Sequence, residues 1–339
     1  MTRFVIHIGP HKTGTTYIQE TLAAQHGMLL KRGICVPSVW NAAPGLPSHM
    51  QLVWAIRNRN LTLIQEQLRE ILAQRPEYVV ISCEALSRLD QEQIVQLRQL
   101  LGSATAQVVY YVRRWPERLP SLWQEAVKFG QTVTLPEYLT DQLTRYDKSE
   151  LRDTAMLDRF VTVFGAANVR VVAYSHLIEQ KIEIAGHFLA SFLGLSDIQL
   201  PAAGRPNKSL PIADTELIRA LNAIHLRHGG ERSPALREWY LAHKEGLVPD
   251  SVLRAMLDYT GEIHLDEASP PFDSAAHDLF SRYAASSVPP HHAGSLHALR
   301  KITVSFVHED YLLDPSVTET LTHIHKIYRR EGQPKSPLG

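Results

Sequence analysis

The sequence predicts an α/β fold, a parallel sheet flanked by helices, on three observations. Four short runs rich in β-branched and aromatic residues are apolar nearly throughout, as strands buried on both faces must be. Segments of helical period fall between them, the alternation that builds parallel sheets through crossover connections. The first run passes directly into a glycine-bounded loop and then a helix, which gathers backbone N–H groups around one anion.

The elements follow in order. Phe4 to Ile8 is the first predicted strand, and Thr15 to Gln25 the helix after it. Leu61 to Gln74 has helical period and precedes YVVIS, Tyr78 to Ser82. Gln91 to Leu101 leads to VVYYV, Val108 to Val112, and Pro116 to Phe129 follows as a helix. VRVVA, Val169 to Ala173, is the fourth strand. Beyond about residue 210 the strand signal fades and helical patterns such as Asp214 to Arg227 and Asp273 to Tyr283 dominate, separated by SPPFD and SSVPPHH. The expected organisation is an α/β core over residues 1–210 and a helical C-terminal part over residues 211–339.

Composition narrows the function classes. With 339 residues, 44% of them hydrophobic, the chain can bury a substantial core. Lys plus Arg and Asp plus Glu are both 35, so no long-range field draws it to nucleic acid or to an anionic membrane. A polyanion must therefore be captured locally. Two cysteines, Cys35 and Cys83, are too few for a disulfide framework and suit a reducing compartment. No run approaches the roughly 18 apolar residues of a membrane span, and the expectation is a cytoplasmic protein.

The loop FVIHIGPHKTGTT carries the chemistry. Gly9 and Gly14 bracket four residues as in the phosphate-binding pattern G-x-x-x-x-G-K-[ST], but Thr15 stands in the lysine slot and the lysine is Lys12, at the crest. An ammonium there overhangs the cradled group, close to a bridging oxygen that gains charge as a bond breaks. Thr15 and Thr16 can add hydroxyl donors. No apolar strand ends in the aspartate of a metal-dependent nucleotide triphosphatase: YVVISCE ends in Glu84 and VVYYVRR in arginines. At the third strand end, Arg113 is followed eight residues on (121 − 113) by Ser121, and a guanidinium with a hydroxyl serves a dianionic phosphate well.

Together these residues resemble the sulfotransferases that use 3′-phosphoadenosine 5′-phosphosulfate (PAPS), bacterial carbohydrate-type members in particular, a family with a P-loop-NTPase-like fold. HKTGTT matches that family's 5′-phosphosulfate loop, with Lys12 at its catalytic lysine, and Arg113 with Ser121 matches its 3′-phosphate element. RPNKSLPIADTELIRALN, from Arg205 to Asn222, is similar to the family's Asn-x-Ser-Leu stretch leading into a helix. The resemblance covers roughly residues 1–225; the chain departs from it where Arg114, Trp115 and Pro116 follow the phosphate arginine.

The resemblance implies in-line transfer of a sulfuryl group from PAPS to an acceptor hydroxyl, a carbohydrate by analogy, releasing adenosine 3′,5′-diphosphate (PAP). Lys12 would meet the leaving oxygen, and the amides of Thr13, Gly14, Thr15 and Thr16 the 5′-phosphate. Arg205 or Lys208 would close over the nucleotide, and Trp115 is a candidate platform for adenine. A sulfonate carries less charge than a terminal phosphate, so no metal is required. Three residues compete as general base: Glu84, whose pKa partial desolvation is expected to raise, His49 in LPSHMQL, and His11 beside Lys12. His291, His292 and His297 read as loop residues rather than metal ligands. The alternatives are a P-loop kinase-like phosphotransferase and a non-catalytic nucleotide-binding protein.

Overall fold

The computed structural model describes residues 1–145, 152–198, 200, 210–286 and 300–332. The chain forms two compact units, each assembled from three stretches. Met1–Arg114, Glu150–Pro206 and Pro270–Leu299 make the first, and Trp115–Ser149, Asn207–Ser269 and Arg300–Gly339 the second.

The first unit is built on five parallel strands: β1 (Arg3–His7), β2 (Ile34–Cys35), β3 (Tyr78–Ser82), β4 (Thr105–Val112) and β5 (Val169–Ala173). Their order is β2-β3-β1-β4-β5. Both faces are apolar because both are covered. On one side Val5, Val80, Val109, Tyr111 and Val172 pack with Ile18 and Leu22 of helix Thr15–Ala24 and with Phe188 and Leu189 of helix Ile184–Leu193. The alternate residues Phe4, Ile6, Val79, Ile81, Val108 and Tyr110 are equally buried and point the other way, as the pleat requires. Helix Asp153–Phe164 packs there on β4 and β5 and against helix Gln91–Leu100, and the Tyr110 hydroxyl donates to Asp153 in the buried layer. Asp90 opens helix Gln91–Leu100 with a reciprocal capping box, accepting from Gln93 N at 2.9 Å while Gln93 Oε1 accepts from Asp90 N at 3.1 Å.

The four predicted strands are all present. The two-residue edge strand β2 is too short to show periodicity in sequence. Between β3 and β4 the chain crosses β1, so the loop after β1 emerges between the carboxyl ends of those two strands, the usual place for a ligand in such sheets.

The second unit contains helices Trp115–Lys128, Leu135–Thr144, Ile212–Arg227, Ala235–His243, Asp250–Leu257 and Pro315–Glu331. The expected helical C-terminal part also holds an antiparallel pair, β6 (Thr260–Asp266) and β7 (Lys301–Val307), which the sequence did not signal. Half of each strand is polar and exposed, and Gly261 interrupts the β6 pattern. A Cβ at Gly261 would lie 2.8 Å from the ring of its cross-strand neighbour Phe306, so the aromatic covers a position that only glycine leaves open. Among the described residues no helix is long and apolar enough to cross a membrane.

Helix Ile212–Arg227 carries a buried ion pair. Arg219 donates through Nε and Nη2 to Glu216 Oε1 at 2.8 and 2.6 Å and through Nη1 to Thr132 O at 2.6 Å, while Glu309 lies 2.7 Å from Nη2. Burial pushes the Glu216 carboxyl up, and the guanidinium opposes it. Replacing Arg219 by Leu strands that carboxylate, and the expected loss of stability is about 3–5 kcal/mol, read from a denaturant midpoint. An unchanged midpoint would mean that the pair contributes nothing.

Candidate functional site

The loop after β1 continues the sheet before it turns. Ile8 N donates to Val109 O and Tyr111 N to Gly9 O, both at 3.1 Å, which carries the β1–β4 pairing past His7. Gly9 has φ 94°, and a Cβ there would sit 3.2 Å from the Cα of Glu84, so glycine lets the end of β3 pass close over the loop. The Thr13 hydroxyl donates to Pro10 O at 2.6 Å and closes the turn. Lys12 follows the same turn in the left-handed region with φ 70°, and Gly14, φ 75°, stands before the first residue of helix Thr15–Ala24 with no side-chain cap. That leaves the first amides of the helix without intrahelical acceptors, facing the loop.

A polar network lies beneath the loop at the ends of β1 and β3. The Thr15 hydroxyl donates to Glu84 Oε1, and Gln19 Nε2 donates to Glu84 Oε2 and to Ser82 Oγ, each at 3.3 Å. Ser82 Oγ shares a 2.8 Å hydrogen bond with His7 Nδ1, and Ser82 N donates to His49 Nδ1 at 2.9 Å. His49 N returns a bond to Ser82 O at 3.1 Å, so the segment carrying His49 is pinned to β3. Burial alone holds the His49 imidazole down to about 4, and burial, opposed by Glu84, does the same to His7. Both are therefore neutral at pH 7.

On the other side the loop meets the ends of β4 and β5. Arg113 Nη1 donates to the carbonyl of Lys12 at 2.8 Å, and the guanidinium carbon lies 5.7 Å from the ring centre of Tyr174. A left-handed lysine is disfavoured by roughly 1–2 kcal/mol. A hydrogen bond from a charged donor contributes about 1.5–3 kcal/mol, enough to offset it. The crest lysine and the strand-end arginine, separate features of the sequence, are thus joined directly. Tyr174 is an addition: it begins the short helix Tyr174–Glu179 at the fourth strand end, VRVVAY, where the sequence pattern could have directed attention.

The expected bases separate. Burial pushes the Glu84 carboxyl up, but the Thr15 hydroxyl, its own amide, His11 and Gln19 together hold it below the usual carboxylate value, so the expected raised pKa is corrected. A carboxylate accepting that many hydrogen bonds is favoured in its charged form. In His49, Nδ1 accepts from Ser82 N, so the neutral ring carries its proton on Nε2 and is a donor there, with no partner among the described residues. His11 is half-buried in the loop beside Lys12. Of the two threonines expected to supply hydroxyls, Thr15 directs its proton to Glu84, and Thr16 is exposed on the first helical turn.

Ser121 lies in the second unit on helix Trp115–Lys128, where its hydroxyl donates to Glu117 O at 3.3 Å. Trp115, the candidate adenine platform, is only 3% exposed and forms part of the apolar interior. Arg205, Lys208, His291, His292 and His297 lie outside the described residues. Among the described residues no group of three or more His, Cys, Asp or Glu side chains is arranged to hold a metal ion. Comparison with protein-family models, with curated proteins and with solved structures gives no match.

The two buried histidines set a pH window. The folded chain holds His7 and His49 neutral down to about 4, whereas the unfolded chain protonates them near 6.5. Their contribution is fully present above pH 6.5 and is lost as pH falls through 4, up to about 3 kcal/mol for each ring. Urea midpoints measured from pH 7 down to 4.5 are expected to fall, and His49→Gln to flatten the decline; a midpoint constant over that range would contradict the burial.

Proposed function

We propose that the chain is a PAPS-dependent sulfotransferase with a P-loop-NTPase-like core, moving a sulfuryl group to an acceptor hydroxyl. The observation that carries the reading is the 2.8 Å bond from Arg113 Nη1 to the carbonyl of Lys12. It sets a strand-end arginine against the crest of a glycine-bounded loop, two of the features on which the family resemblance rests beside Ser121 and the stretch from Arg205 to Asn222. The five-stranded parallel order, with the loop emerging from the central strand, supports the same fold.

In this reading the donor's 5′-phosphate lies on the amides of Thr13 to Thr16, and the Arg113 guanidinium is the cation for the 3′-phosphate. Lys12 neutralises the bridging oxygen as the S–O bond breaks, and the sulfuryl group forms its new bond to the acceptor oxygen in line. The acceptor's proton leaves to a base. Glu84 braces the loop as a hydrogen-bonded carboxylate and His49 is locked to β3, which leaves His11, next to Lys12 in the chain, as the base in this reading. No metal takes part in this scheme.

One observation favours a second reading. Glu84, at the end of the strand next to β1 and bonded to Thr15 in the first turn of the loop helix, stands where a kinase-like enzyme keeps a metal-binding carboxylate. Ligand-linked stability separates the two. Under the sulfotransferase reading PAP raises Tm by several degrees in the presence of a chelator, as mass action requires at concentrations well above Kd. A shift with ATP and magnesium but none with PAP would replace it with the phosphotransferase.

Lys12→Ala tests the chemistry. With ³⁵S-labelled PAPS and a panel of sugar, alcohol and amine acceptors, turnover is expected to fall on the order of 100-fold or more while the far-UV CD spectrum is unchanged. A retained rate would remove Lys12 from the leaving oxygen.

A further inference from the structure

We infer that Arg113 and Tyr174 form a strut that holds the backbone of Lys12 in its left-handed conformation, which makes both of them positioning residues for the loop. The functional consequence, though not the strut itself, rests on the sulfotransferase reading.

Strand pairing sets the strut up. Val112 of β4 lies opposite Ala173 of β5, so the next residues along the two parallel strands are Arg113 and Tyr174, delivered side by side at the sheet's carboxyl edge. Tyr174 touches the loop as well as the arginine. A Cβ at Gly14 would lie 3.6 Å from Tyr174 Cε2 and 3.1 Å from Ile184 Cδ1, so the ring closes over the glycine that ends the loop. The guanidinium rests over the same ring, 5.7 Å from its centre, and donates from there to Lys12 O at 2.8 Å. One aromatic ring therefore backs Gly14 directly and Lys12 through Arg113, at two of the three positive-φ residues of the loop.

The chemistry asks for these residue types. A guanidinium is planar, so it can lie over a ring and still direct an N–H in its own plane to a carbonyl. A lysine has neither the plane nor the fork. The strut predicts that loop order depends on Arg113 with no ligand present, and that binding of a nucleotide lacking a 3′-phosphate depends on it too. An arginine acting only as a 3′-phosphate contact would do neither.

Two measurements on the full chain decide it. In the nucleotide-free protein, hydrogen–deuterium exchange of a peptide spanning Gly9 to Ile18 is expected to quicken in Arg113→Lys and Tyr174→Leu and to stay at the wild-type rate in Tyr174→Phe, which keeps the ring. Affinity for adenosine 5′-phosphate, by calorimetry, is expected to weaken on the order of tenfold in Arg113→Lys. Unchanged loop exchange overturns the strut, as does a loss confined to the 3′,5′-diphosphate with 5′-phosphate affinity intact. If exchange responds but wild type binds neither nucleotide, the strut stands and the donor reading falls.

Discussion

The hydroxyl of Thr15 donates to the carboxylate of Glu84, and the geometry of the loop helix depends on that bond. It ties the first turn of the helix after β1 to the end of β3 at a place where a carboxylate is mostly removed from water. A buried charge survives there only if its lone pairs are met. Thr15, Gln19 and the residue's own amide meet them, and the result is a carboxyl that favours its ionised form in spite of burial. The same Gln19 reaches Ser82, and Ser82 reaches both His7 and His49, so a single connected set of hydrogen bonds fixes the ends of two neighbouring strands. Such sets hold one arrangement firmly because each member left alone would be an unsatisfied polar group.

Strand order makes this arrangement two-sided. With β1 between β3 and β4, the loop has Glu84 on one flank and Arg113 on the other. The carboxylate fixes where the helix begins, and the guanidinium fixes the carbonyl at the crest. A loop braced from both sides needs little reorganisation when charge develops on a bound group, the condition under which fixed dipoles and cations act most strongly. The positive-φ residues Gly9, Lys12 and Gly14 are the backbone's share of the same design.

Much of the first unit was legible in the residues. Strands β1, β3, β4 and β5 are continuous apolar runs because both sheet faces are covered, and that pattern cannot be mistaken for a surface helix. The loop was legible as well, since glycine placement and a lysine at its crest are local features. What joined the parts was not. Arg113 and Lys12 lie 101 residues apart, and no spacing rule links them. The lowered pKa of Glu84 depends first on the Thr15 hydroxyl, which only the folded chain brings to the carboxylate. Tyr174 carries no sequence signal of its own, because a lone aromatic at a strand end is as common in packing as in binding. The β6–β7 pair was hidden by its own exposure: alternation with a polar face and a glycine in it is a weak signal beside the helices around it.

The interleaved composition of the two units has a consequence for biosynthesis. The sheet is complete by Ala173, yet its unit also takes in helix Phe272–Tyr283, where Asp278 accepts from Thr154 and Arg282 pairs with Asp158. The second unit likewise waits for Arg300–Gly339, whose Glu309 and Tyr311 complete the shell around Glu216 and Arg219. Neither body can be cut out as one contiguous fragment. A ribosome releasing this polypeptide must present both as unfinished intermediates, with helix Asp153–Phe164 uncovered on one side until the stretch from Pro270 arrives.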